Sequence, residues 1–311
     1  MIRGSYTTSS VMPSTVVTRT NPLPIASIGF ILASMLCFAI VDTLAKAVAL
    51  HYPANELTFF RMLFGLVPAI AACCVGERSL MDRMKRLDFR GQTWRALTLL
   101  GASGFFFAGL PYIPLGEAVA IAYSETLLVV VLAPFMLKDR LTTRSAVAAL
   151  AGFAGVLLVV RPGGGESNWL GPALLLCSAL CGALSIIQIK RIRSTDDSRT
   201  TVLFFTMVGT VVTAATLPFS WKTPALDALV LMALLGALAT AGQILMTVAF
   251  RRADAGTLAP FNYTSIVWAA LFAYIAWGEV IAPLSLAGIA LIVGSAIAVA
   301  WQRKLPEGPI A

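Results

Sequence analysis

Residues 118–141 read AVAIAYSETLLVVVLAPFMLKDRL, and nearly everything before Lys138 is Ala, Ile, Leu, Val or Phe. An apolar run of roughly 20 residues is long enough to cross the hydrocarbon core of a bilayer as a helix. In the middle of this one stands Tyr123-Ser124-Glu125. A carboxylate inside a membrane helix is costly, so such groups face a cavity or a partner. The stretch therefore says two things. It spans a membrane, and it carries a polar group that needs a reason.

The same apolar pattern recurs along all 311 residues. Hydrophobic residues make up 58% and charged residues 12%, and the mean hydropathy is +0.85. A soluble domain runs closer to about 45–50% apolar and about 25% charged. The runs predict ten helices, over 25–48, 57–75, 94–112, 117–137, 143–160, 169–189, 200–219, 226–249, 256–277 and 284–302. The expected fold class is all-α and integral to the membrane. A β-barrel would need short alternating strands, and these runs do not alternate. Residues 1–24 are polar and Ser/Thr-rich, with Pro13, Pro22 and Pro24, and are expected to form a flexible cytoplasmic segment. They lack the pattern of a signal peptide, so the first helix reads as an uncleaved anchor. Cys37, Cys73, Cys74, Cys177 and Cys181 all fall inside predicted helices, as small packing residues rather than a disulfide or zinc framework.

The net charge of +8 is a topology signal. With the N-terminus inside, only Arg161 and Lys222 of the 23 Lys and Arg residues lie in outside loops. Lys46 and Arg61 lie within helix ends, and the rest fall inside. That is the positive-inside bias, and it predicts cytoplasmic termini. Trp94, Trp169, Trp221, Trp277 and Trp301 fall near span ends, where interfacial anchors belong. Nothing in this distribution points to nucleic acid.

The two halves echo each other. TFFRMLFG (58–65) matches LFFTMVG (203–209), with Arg61 opposite Thr206. Ser34-x-x-Cys37 matches Ser178-x-x-Cys181, which sets Lys46 opposite Lys190. AYSE (122–125) matches NYTS (262–265), and KDRL (138–141) matches GEVI (278–281). The order is preserved, which predicts two five-helix units over 25–160 and 169–302. An odd number of helices per unit inverts the second unit relative to the first, an arrangement typical of secondary transporters with a midplane site.

With these motifs the chain resembles the drug/metabolite transporter superfamily, EamA type. The features that carry the likeness are an apolar helix, a short loop with an acidic residue and a glycine-containing helix, at LLVVVLAPFMLKDRLTTRSAVAALAGFAGVLLVV and again at IVWAALFAYIAWGEVIAPLSLAGIALIVGSAIAV. The resemblance covers roughly 25–302. It implies a multi-pass transporter of the bacterial inner membrane, for amino acids, metallophores, vitamins such as riboflavin, or S-adenosylmethionine. VDTLAK (41–46) and FFR (59–61) look most like members linked to S-adenosylmethionine uptake.

Four ionisable residues stand within the predicted helices. Asp42 and Lys46 are four apart, on one face of the first helix. Arg61 sits one turn inside the second. Glu125 sits about 12 Å below the outer end of the fourth, at 1.5 Å per residue. A structural reading pairs Asp42 with Lys46, and Arg61 with Glu117. A functional reading makes them a polar site: the Arg61 fork suits a carboxylate, while Glu125 suits an ammonium group or carries a coupling proton. Tyr123 accompanies Glu125. The second half adds Asn262, Tyr263, Thr264, Ser265 and Trp268 on the ninth helix, and Thr240 and Gln243 on the eighth. Pro134 and Pro260 are candidate hinges. Gly152, Gly155, Gly288 and Gly294 favour close helix contact.

The expected function is a secondary transporter for a small polar or zwitterionic metabolite, such as an amino acid or S-adenosylmethionine, with the lipid bilayer as its solvent. Vitamin uptake and metallophore export on the same fold are the alternatives, and a membrane receptor or scaffold is the different-class one. No cofactor is expected. RPGGGES (161–167) lacks the lysine of a phosphate-binding loop. An enzyme is not expected either: the single histidine is His51, in an outside loop, and neither H-E-x-x-H nor G-x-S-x-G occurs.

Overall fold

The computed structural model describes residues 25–74, 87–137, 143–160, 169–191, 198–252, 258 and 261–302. The N-terminal segment expected to be flexible, the KDRL motif and Pro260 lie outside the described residues. Among the described residues there is no strand. The helices are α1 (Ile25–Ala49), α2 (Ala54–Cys74), α3 (Phe89–Gly109), α4 (Leu115–Ala122), α5 (Glu125–Leu137), α6 (Thr143–Val160), α7 (Leu170–Arg191), α8 (Ser198–Thr216), α9 (Leu226–Arg252), α10 (Thr264–Trp277) and α11 (Pro283–Gln302). A helix satisfies its own backbone hydrogen bonds, which is what a chain in hydrocarbon must do.

Eight of the ten expected spans coincide with one helix each. Six stretches are long and apolar enough to cross a membrane: Ile25–Ala49, Ala54–Cys74, Leu115–Leu137, Leu170–Gln188, Arg199–Phe219 and Leu226–Ala249. The apolar parts of α6, α10 and α11 are shorter, and α3 carries Arg90 and Arg95 near its start. Large apolar side chains face out of the bundle, among them Phe135, Val211, Val267 and Ile275. In water such a surface would drive aggregation; in lipid it is solvated.

The fourth span departs from expectation. It is two helices, α4 and α5, parted by a turn at Tyr123-Ser124. The Ser124 N–H donates to Ile121 O at 3.0 Å and the Leu127 N–H to Ser124 O at 2.9 Å. Both bonds span three residues, so the ladder is tightened here. Ser124 is fully buried, and irregular backbone at membrane depth survives only where protein covers it. The ninth span is broken at the matching tyrosine. Tyr263 is a turn residue between helical Asn262 and α10.

Helix packing pairs one half with the other. α1 packs on α9 and α7 on α3; α2 packs on α8 and α6 on α11; α1 also meets α10, as α7 meets α5. The serines of the two Ser-x-x-Cys motifs bond alike. Ser34 Oγ donates to Gly242 O at 2.7 Å, and Ser178 Oγ donates to Ala102 O at 2.8 Å. Each cysteine sits against a glycine of the facing helix: a methyl built on Gly242 would lie 3.2 Å from Cys37 Cβ, and one on Gly101 would lie 3.3 Å from Cys181 Sγ. α6 and α11 touch backbone to backbone, since a methyl on Gly155 would lie 2.6 Å from Gly288 O.

Candidate functional site

Glu125 is the first residue of α5, directly after the break. Its side chain is partly buried and lies over Gly182 of α7, where a methyl group would collide with Oε2. Among the described residues it makes no hydrogen bond or ion pair. Around it stand the two tyrosines of the matching motifs. The rings of Tyr123 and Tyr263 have centroids 5.5 Å apart, tilted by 53°, and both phenols lie within electrostatic range of the Glu125 carboxylate. Ser265 Oγ donates to Tyr123 Oη at 2.9 Å, and Tyr123 Oη donates to Met35 Sδ at 3.6 Å. The broken fourth span and the ninth thus meet through AYSE and NYTS, beside α1.

Asp42 and Arg61 stand within electrostatic range of each other. Arg61 Nη1 donates to Ser103 Oγ of α3 at 2.6 Å, and its guanidinium lies 5.4 Å from the centroid of the Phe107 ring. No ion pair between Arg61 and Glu117 occurs among the described residues. Asp42 also reaches Tyr123 electrostatically, so the tyrosine is within range of two carboxylates.

Lys46 faces elsewhere. It is 4% exposed and pairs with Glu279 rather than Asp42. Its Nζ also donates to Ile113 O at 3.0 Å and lies 5.3 Å from the centroid of the Trp277 ring. The other Glu279 oxygen accepts the Leu115 N–H at 2.9 Å, at the start of α4. A carboxylate there complements the exposed amides and dipole of a helix N-terminus. Gly278, with φ +66°, ends α10 in the left-handed region and turns the chain into Glu279. This cluster ties α1, α4 and the end of α10 into one knot.

The remaining predicted residues are less engaged. Asn262 Oδ1 is buried without a partner. Trp268 stacks on Phe272 of its own helix, with centroids 6.2 Å apart. Thr240 Oγ1 donates to Gly65 O at 3.2 Å, one turn from Gln243, whose carbonyl accepts from Thr247. A groove of about 550 Å³ between α6 and α11, lined by Val147, Ala151, Leu291 and Gly294 among others, holds no ionisable side chain. It offers no chemistry to compare with the Glu125 junction.

Two carboxylates escaped the reading of single helices. Glu279 belongs to a loop, and its only signal was its place in GEVI. Glu56 is fully buried in the first turn of α2, where Oε2 accepts the Lys222 N–H at 3.1 Å. Lys222 Nζ donates to His51 O at 2.8 Å, and Tyr52 Oη accepts the Ala225 N–H at 3.1 Å. These contacts pin the loop after α8 to the turn between α1 and α2.

Known proteins resemble the chain along nearly its whole length. It is 26% identical to an uncharacterized transporter of Helicobacter pylori (strain ATCC 700392 / 26695), covering 90% of this chain and 96% of that one. It is 25% identical to an S-adenosylmethionine uptake transporter of Rickettsia bellii (strain RML369-C), covering 89% and 94%. It is also 25% identical to the pseudopaline exporter CntI of Pseudomonas aeruginosa (strain UCBPP-PA14), covering 86% and 93%. A crystal structure that is 20% identical covers 88% of this chain and 99% of its own at a TM-score of 0.61, which is agreement in fold. The sequence model of the EamA-like transporter family matches residues 25–161 and again 169–301. These two consecutive matches take in every described helix, and they make this multi-pass protein of the bacterial inner membrane a member of the EamA-like transporter family.

Proposed function

We propose that the chain is a secondary transporter that moves a small polar or zwitterionic, amino-acid-derived metabolite by alternating access. Two five-helix units, 25–160 and 169–302, rock about a site at mid-depth. The observation that carries this reading is Glu125 itself. It is a carboxylate without a partner among the described residues, placed where two broken helices meet. A broken helix exposes backbone and side-chain polar groups at membrane depth, which suits ligand binding between repeats. The cross-half pairing of helices supports the two-unit reading, and the inside bias of Lys and Arg supports cytoplasmic termini. That one relative is named for S-adenosylmethionine uptake supports an amino-acid derivative as cargo.

The test is counterflow in proteoliposomes with labelled amino acids, S-adenosylmethionine and riboflavin. One solute is expected to exchange through the wild-type protein, and Glu125→Gln is expected to reduce that exchange at least ten-fold. Unchanged exchange by the variant would remove Glu125 from the site. A folded protein that exchanges nothing would favour a receptor role.

A further inference from the structure

Apart from Glu56 and Glu117 in the first turns of α2 and α4, the charges around this region are Asp42, Lys46, Arg61 and Glu125. Lys46 is balanced by Glu279. Arg61 has Asp42 within electrostatic range and is held by Ser103 and the Phe107 ring. Glu125 remains. The elements packed on α5 are α6, α7 and α11. α11 carries no charged residue, and neither does α10, whose partner α4 leads into the break. Arg144 stands near the start of α6, and Lys190 and Arg191 stand at the end of α7. The nearest of the two on α7 is eight residues from Gly182, or about 12 Å along the axis. Among the described side chains no cation pairs with the Glu125 carboxylate.

The walls next to that carboxylate are aromatic. Tyr123 has its hydroxyl occupied by Ser265 and Met35. The Tyr263 hydroxyl is engaged with Thr126, so what both tyrosines have left to offer a ligand is the ring. A ring face attracts a cation through its quadrupole, most strongly where water is excluded. An unpaired carboxylate beside two such rings matches an organic onium group, either ammonium or sulfonium. A ligand carboxylate finds no positive charge beside Glu125 among the described side chains, and the nearest buried guanidinium, Arg61, faces Ser103 and the Phe107 ring.

We infer that the Glu125 junction selects its ligand by net charge, taking an organic monocation in preference to the net-neutral zwitterion of the same shape. This rests on the reading of the junction as the transport site. It narrows the cargo from polar or zwitterionic metabolites to monocations, and it makes Arg61 part of the wall instead of the fork for a substrate carboxylate that the sequence suggested.

The experiment compares charge-matched pairs by binding alone. The midpoint of thermal unfolding of the full chain in lipid nanodiscs is followed against S-adenosylmethionine and S-adenosylhomocysteine, which differ by the methyl group that makes the sulfonium. A second pair is phenylalaninamide and phenylalanine, which carry net charges of about +1 and zero near neutral pH because the amide removes the carboxylate. At least one cationic member is expected to raise the midpoint, at a concentration ten-fold or more below that needed by its neutral partner. Glu125→Gln is expected to erase that difference. Equal effects within each pair, no effect from any of the four, or a preference that survives Glu125→Gln would overturn the proposal. If Glu125→Gln does not fold, the wild-type comparison decides the charge preference alone. Binding that favours the cation without counterflow would sink the transport reading and leave this inference standing. Glu125-dependent counterflow of a neutral zwitterion, with its cationic partner excluded, would do the reverse.

Discussion

At the residue scale, the position of the Glu125 carboxylate depends on an absence. Gly182 has no Cβ, and the carboxylate lies in the space that a Cβ would fill. A glycine inside a helix is disfavoured relative to alanine by about 1 kcal/mol, so its presence in α7 calls for a local cause. Gly182→Ala tests it. The substitution is expected to keep or raise the unfolding midpoint while lowering counterflow several-fold, because the carboxylate must move. Adding Glu125→Asp, which is one methylene shorter, is expected to recover part of the flux. If Gly182→Ala transports normally, the glycine serves helix packing alone. The identity of Glu125 as a polar group in an apolar run is plain from sequence. Its neighbour Gly182, 57 positions away, is not.

At the scale of elements, the clearest device is the knot of Lys46, Glu279 and the start of α4. It joins residues that are 233 positions apart in the chain. Breaking a buried pair by removing one member leaves an uncompensated charge, at a cost of about 3–5 kcal/mol. Glu279→Gln is expected to lower stability by a cost near the bottom of that range, because the glutamate is itself 23% exposed. A larger loss is expected from Glu279→Ala, which also removes the acceptor at Leu115 N. Chemical or thermal unfolding in detergent reads both. Equal stability of all three proteins would show that the knot is dispensable. The sequence placed Asp42 and Lys46 on one helix face and suggested that they pair. Helical spacing makes such a contact available, but it does not say which side chain another helix will take. The broken fourth span was likewise invisible, because a serine and a tyrosine are ordinary occupants of a continuous helix. The break depends on α10 and α7 covering the exposed backbone.

At the scale of the whole molecule, the orientation of the two units is the property to measure. Cytoplasmic termini put the loop after α8 outside and the end of α11 inside. In a chain cleared of its five native cysteines, Ser220→Cys is expected to react with an impermeant maleimide in intact cells. Gln302→Cys is expected to react only after the membrane is opened. The opposite pattern would reverse the topology, and with it the placing of Glu125 below the outer end of the fourth span.

The sequence by itself determined that this is a membrane protein, where its helices run, and which of them carry charge. Hydrophobicity and charge are local quantities, and a bilayer sorts them along a single axis. It also held the motif pairs that make the halves comparable. Only the tertiary structure decided the partners: Lys46 with Glu279, Arg61 with Ser103, Tyr123 with Ser265, and Glu125 with the gap over Gly182. In hydrocarbon every helix is apolar on most faces, so hydrophobic pattern carries little information about which face meets which helix. Close packing of small residues and the few available polar partners settle that, and they are set by the arrangement of all the helices together.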